Sequence, residues 1–136
     1  MPDTRNNLTP QDAAPADVVS QAMEISTQAA MLGFDWAEPR DVLDKLDEEL
    51  DEVRRALDQK TREDVTEEIG DLFFALVNFC RKMQIDPGRA FGNGVRKFER
   101  RFRSLSARMA EKGGEMSAQV LDDLWQQVKM GERHEQ

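Results

Sequence analysis

Between Leu43 and Leu57 the apolar residues fall at Leu43, Leu46, Leu50, Val53 and Leu57. The steps alternate three and four, which draws one stripe along an α-helix; strand faces repeat every two residues. The same stepping returns at Val65, Ile69, Leu72, Leu76 and Met83, and again at Phe91, Val95, Phe98, Phe102, Leu105 and Met109. A further stripe runs through Leu121, Leu124, Trp125 and Val128. The predicted helices run from about Ala16 to Gly33, from an Asp41 N-cap through Leu57, from Arg62 to Met83, from Pro87 to Glu111, and from a Ser117 cap to Lys129. No segment reads as a strand. The expected fold is an all-α antiparallel helical bundle. Past Asp71 the run "LFFALVNFC" is apolar almost all round, which suits a central helix or an oligomer interface.

The 136 residues suffice for one domain. Residues 1–15 hold three prolines and many polar side chains, so a disordered arm is expected there. The domain is expected over residues 16–130 and a flexible tail over 131–136. No apolar run approaches the ~20 residues of a membrane span, and the N-terminus lacks the apolar stretch of a signal peptide. The expectation is a cytoplasmic protein without membrane partners.

One cysteine, Cys80, and one histidine, His134, exclude an internal disulfide and a zinc site built from several Cys and His ligands of one chain. They also argue against Cys–His or Ser–His catalysis. Any metal held by this chain should have oxygen ligands, which suit Mg²⁺, Mn²⁺ or Ca²⁺. The net charge of −8 disfavours nucleic acid as a partner. That charge is segregated: 41–71 is strongly acidic, and 89–108 is rich in Lys and Arg.

Helix geometry sorts the acidic stretch "DEELDE". At about 100° per residue, Glu49 lies on the shoulder of the second helix's apolar stripe, with Glu52 one turn further on. Glu48 and Asp51 point further away. On the third helix Glu68 flanks Ile69 and Leu72, with Asp71 at i+3; Ala75, Asn78 and Lys82 continue that edge. If the two helices form an antiparallel hairpin, the two i,i+3 pairs face each other across the seam. Four converging carboxylates repel and are costly to desolvate, and a divalent cation relieves both effects. Spacing alone leaves a second reading open, that of two solvated acidic faces. In "RKFERRFRS", Phe98 and Phe102 are expected inward, with Lys97 and Arg101 sharing a flank; Lys offers a point charge and Arg a planar fork to phosphate. Here too a solvated cationic face is the alternative. Trp125 and Lys129 are i,i+4 partners, and Trp125 suits either a core or a base-stacking platform.

Taken in order, "GFDW", "VLDKLDEELDEV", "EEIGDLFFALVNFCRKM", "KFERRF" and "LWQQVK" make the chain resemble the MazG family of all-α nucleoside triphosphate pyrophosphohydrolases, over about residues 16–129. The pattern Glu49-x-x-Glu52, a 15-residue spacer, then Glu68-x-x-Asp71 is the family's. The resemblance implies hydrolysis of nucleoside triphosphates to monophosphate and pyrophosphate, with Mg²⁺ held by Glu49, Glu52, Glu68 and Asp71. It implies substrate contacts from Lys45, Asn78, Lys97, Arg101, Trp125 and Lys129, and Glu48 or Glu49 as the carboxylate that takes a proton from the attacking water. It further implies a homodimer or homotetramer and a role in nucleotide-pool housecleaning. One departure is that Val95 stands where many relatives have Asn, with Asn93 two residues out of register. Alternatives within reach of the same sequence are a pyrimidine-selective dUTP/dCTP pyrophosphatase and a non-catalytic helical adaptor.

Overall fold

The computed structural model describes residues 15–59 and 61–134, with five helices and no strand among them. These are α1 (Pro15–Met31), α2 (Pro39–Gln59), α3 (Arg62–Lys82), α4 (Pro87–Lys112) and α5 (Ala118–His134). The expected all-α fold is what forms. The chain divides into two compact units at Ala90/Phe91, one carrying α1 to α3 and the other most of α4 with α5. The disordered arm expected over residues 1–15 lies almost wholly outside the described residues.

Local chemistry sets the helix ends. Gly33 adopts φ 89°, and the N–H groups of Gly33 and Phe34 return to the carbonyls of Ala30 and Ala29, at 3.0 Å each. This is a Schellman motif, and Gly is the residue that enters its left-handed position without strain. α3 ends in the same motif with a side chain in that position. Gln84 takes φ 57°, with Gln84 N–H donating to Arg81 at 3.0 Å and Ile85 N–H to Cys80 at 2.8 Å. α3 opens with a capping box: Thr61 accepts from the Asp64 N–H while the Asp64 carboxylate accepts from the Thr61 N–H, satisfying two orphan donors. Asp41, expected as an N-cap, lies instead in the first turn of α2 and accepts from the Glu38 N–H at 3.0 Å. Pro39 explains the earlier start, because its fixed φ suits the first helical position and it has no N–H to satisfy.

In the first unit, α3 packs against both α2 and α1. Val42 and Ala56 of α2 and Ala75, Val77 and Cys80 of α3 are buried. Alanines at these contacts let the two backbones approach closely. Beside them runs a polar network that is buried at Ser26 and Asn78. Asn78 Oδ1 accepts from the Ser26 hydroxyl at 2.5 Å, and Ser26 Oγ accepts from Arg81 Nε at 2.6 Å. Arg81 and Lys82 both donate to the Asp35 carboxylate, and Lys82 Nζ also donates to the Trp36 carbonyl at 2.7 Å. The connector between α1 and α2 is thereby tied to the C-terminal end of α3.

The second unit is built differently. Among the described residues no Cα of α4 comes within 8 Å of one of α5, and long side chains bridge the helices. Leu124 and Val128 are buried. Phe98 stacks on Phe102, with ring centroids 6.4 Å apart, and tilts against Trp125 at 5.7 Å. The expectation that Phe98 and Phe102 point inward is corrected here: they remain 58% and 54% exposed. Trp125 covers only one side of Phe98. α5 continues to His134 rather than ending near Lys129. Glu132, in its last turn, is held by Arg101 of α4.

Candidate metal centre and basic face

α2 ends at Gln59 and α3 begins at Arg62, so residues at comparable distances from those ends meet across the seam. Glu49 lies about three turns before the end of α2, and Glu68 and Asp71 lie about two and three turns into α3. One carboxylate oxygen from each of Glu49, Glu68 and Asp71 lies within 4.8 Å of the others. Glu49 is buried, Glu68 intermediate and Asp71 exposed, so the cluster grades from the interior to the surface. Its donors are all hard oxygens, matching the preference of Mg²⁺ or Mn²⁺ and not that of thiophilic metals. The residues present therefore fit a divalent cation.

Glu49 is 7% exposed and does not face its acidic neighbours uncompensated. Lys45, one turn earlier on α2, places Nζ 2.7 Å from Glu49 Oε1 and 3.5 Å from Glu48 Oε2. The hydrogen bond to Glu49 raises the Lys45 pKa above its ordinary value, outweighing the opposing effect of burial. Glu52, expected as the fourth ligand, points to another partner. It accepts from Arg55 at 2.9 Å, on the same helix, with its side chain 42% exposed. Exposed i,i+3 pairs of this kind contribute under about 1 kcal/mol, so Arg55 is an easily exchanged partner.

Asn78 is placed by helix geometry on the edge of α3, beyond Glu68 and Asp71, but it is buried. Its oxygen accepts from Ser26 and its nitrogen donates to the Phe74 carbonyl at 3.2 Å. Its amide is spent on holding α1 to α3. Helical periodicity places a polar residue on an edge without showing that another helix covers that edge.

In the second unit, Arg101 meets Glu132 of α5, with Nε 3.1 and 3.0 Å from the two carboxylate oxygens and Nη2 2.9 Å from Oε2. Lys97, one turn before it, is exposed, and Trp125 and Lys129 are half-buried. Nothing in the sequence pattern singles out Glu132, because its partner lies 31 residues away on another helix. Asp35 escaped notice for the same reason. Arg81, followed by Lys82, holds the Asp35 carboxyl down at about 2, and only the fold shows that α1's connector reaches the end of α3.

Comparison with known proteins identifies a family. Residues 37–106, just over half of the chain, match the MazG nucleotide pyrophosphohydrolase domain, a span that includes all four expected carboxylates. A nucleoside triphosphate pyrophosphohydrolase/pyrophosphatase MazG of Thermotoga maritima is 37% identical over 118 residues, covering 84% of this chain and 45% of that protein. A nucleoside triphosphate pyrophosphohydrolase of Escherichia coli K12 is 38% identical over 119 residues, covering 82% and 44%. The uncharacterized protein YabN of Bacillus subtilis is 41% identical over 69 residues, 48% of this chain and 14% of its own. The chain thus spans less than half the length of these relatives. The acidic seam, the helical fold and the matched segment together place the chain in the MazG family of nucleotide pyrophosphohydrolase domains.

Proposed function

We propose that this chain hydrolyses nucleoside triphosphates, ribo or deoxy, to the monophosphate and pyrophosphate, with Mg²⁺ as cofactor and Mn²⁺ as a substitute. The observation that carries this reading is the convergence of Glu49, Glu68 and Asp71 from two helices. The relatives' names support the reaction class. Glu52 would complete the ligand set once it gives up Arg55. When bound, magnesium supplies neutralisation of polyphosphate charge and makes water more acidic.

The chain's own residues supply the remaining roles. Glu49, Glu68 and Asp71 fix the cation and so the polyphosphate. Lys45, whose partner Glu49 gives its charge to the cation, turns to a phosphate oxygen. With Glu49 given to the metal, Glu48, released as Lys45 turns to phosphate, is the carboxylate that accepts the proton of the water attacking the α-phosphorus. Lys97 and Arg101 neutralise charge on the departing pyrophosphate. Trp125 offers its ring to the base, with Lys129 beside it. Exposed Phe73, Phe74 and Leu76 on α3 form an apolar surface of the kind that marks an interaction site, which supports a homodimer or homotetramer. No described helix is long and apolar enough to cross a membrane. The role that fits this chemistry is clearance of unwanted nucleotides from the cytoplasmic pool.

The test is to incubate the pure protein with Mg²⁺ and a panel of NTPs and dNTPs, resolving products by ³¹P NMR. Equal amounts of monophosphate and pyrophosphate are expected. Release of orthophosphate and nucleoside diphosphate, or no turnover across the panel, would overturn the proposal.

A further inference from the structure

Arg101 presents to Glu132 the planar fork that an arginine presents to two oxygens of a phosphate. All three contacts are between 2.9 and 3.1 Å, and the guanidinium is largely covered, with 23% of the side chain exposed. Glu132 occupies an unfavourable position for a carboxylate. It lies in the last turn of α5, where the helix dipole repels negative charge, and it follows Gly131, a weak helix former. Arg101 compensates for both, so the last turn of α5 depends on this contact. The surroundings favour an anion generally. Arg101 first, then Arg100 and Lys97, hold the Glu132 carboxyl below its ordinary range. Among the described residues Glu132 contacts Arg101 alone, and Arg100 and Lys97 add positive charge around it, which suits an anion of higher charge.

We infer that Glu132 is a built-in competitor for the phosphate site at Arg101, occupying the guanidinium fork until a polyphosphate displaces it. This rests on the proposed role of Arg101. The exchange forms and breaks only ion pairs and hydrogen bonds. Its consequence is a lower affinity for pyrophosphate than the bare basic cluster would have, which favours release of the product. A second consequence is that the last turn of α5, deprived of Arg101, loosens when polyphosphate is bound.

The experiment measures binding of inorganic pyrophosphate to the full chain by calorimetry with Mg²⁺, at low ionic strength, for wild type, Glu132→Gln, Glu132→Ala, Arg101→Gln and the Glu132→Gln/Arg101→Gln double variant. Circular dichroism confirms that each is folded. Removing the carboxylate should tighten binding about two- to five-fold, the range expected for releasing a partly exposed ion pair, and both Glu132 variants should agree. The gain should vanish when Arg101 is replaced. Hydrogen exchange in residues 130–134 should rise when pyrophosphate is added to wild type. If Arg101→Gln weakens binding but neither Glu132 variant tightens it, the competitor role is overturned while the role of Arg101 stands. If Arg101→Gln leaves binding unchanged, the role of Arg101 fails, and the inference fails with it.

Discussion

The α2–α3 seam and the α4–α5 pair place charged groups by opposite means. At the seam the helices meet closely over alanines, and backbone packing brings Glu49, Glu68 and Asp71 together regardless of their mutual repulsion. Between α4 and α5 the backbones stay apart, and side chains make the contact: Phe98 on Trp125 and Arg101 on Glu132. A carboxylate cluster set by helix packing keeps its ligand oxygens together whichever side chains neighbour them. A cation satisfied by a neighbouring side chain is already compensated and must exchange partners to work. The first region is therefore expected to respond sharply to removal of one ligand, and the second to respond modestly.

The largest expected effect tests the imposed cluster. Glu68→Gln should lower activity by about 10²-fold or more, in keeping with the loss of a group that fixes transition-state charge. Glu52→Gln should weaken metal binding less than Glu68→Gln does, since Glu52 must first leave Arg55. Equal losses from the two, measured by metal titration, would mean that Glu52 sits in the cluster from the start. Glu48→Gln should reduce kcat and leave metal affinity unchanged.

The next effect concerns the network that holds the first unit together. Asp35→Asn should cost about 2 kcal/mol in urea unfolding, since it leaves Arg81 and Lys82 short of a charge in a partly buried position. Because the folded Asp35 carboxyl is held at about 2 against an ordinary 3.8, its contribution is present above pH 3.8. It is lost as the pH falls toward 2. The Asp35→Asn variant should lack that part of the acid transition. An unchanged acid profile would show that the tie contributes little.

Lys45→Met should have a smaller effect on stability, under about 1 kcal/mol, because the lysine is partly exposed and solvent screens the pair. The raised Lys45 pKa means that its contribution is whole below the ordinary lysine value of 10.5 and is lost as the pH rises through the folded value. The difference between Lys45→Met and wild type should close at high alkalinity. Its KM for a triphosphate should rise as well, which a purely structural lysine would not produce. The smallest effect is at the end of α3. Gln84→Gly should stabilise by about 0.5–1 kcal/mol by removing a side chain from a left-handed position, as read from the thermal midpoint.

Where the sequence was legible, the reason is local. The three-and-four stepping specifies helices, Gly33 specifies a stop, and i,i+3 spacing places Glu49, Glu68 and Asp71 on packing shoulders. Asn78, Asp35 and Glu132 were not legible, because what each one touches comes from a segment 31 to 52 residues away. Phe98 and Phe102 mislead for a related reason. Apolar periodicity says which face seeks cover, and within the second unit Trp125 supplies only part of it. Glu52 shows the limit of rotation arguments alone, since a nearby Arg55 takes the side chain that the helix angle would send toward the seam.

The central claim is that the carboxylates of α2 and α3 form a working cation site. The most direct measurement is calorimetric titration of the metal-free protein with Mn²⁺, comparing wild type with Glu68→Gln under conditions where both are folded. Saturable binding is expected in wild type, competed by Mg²⁺, and is expected to be lost in the variant. Equal binding by the two proteins, or no saturable binding by wild type, would contradict it.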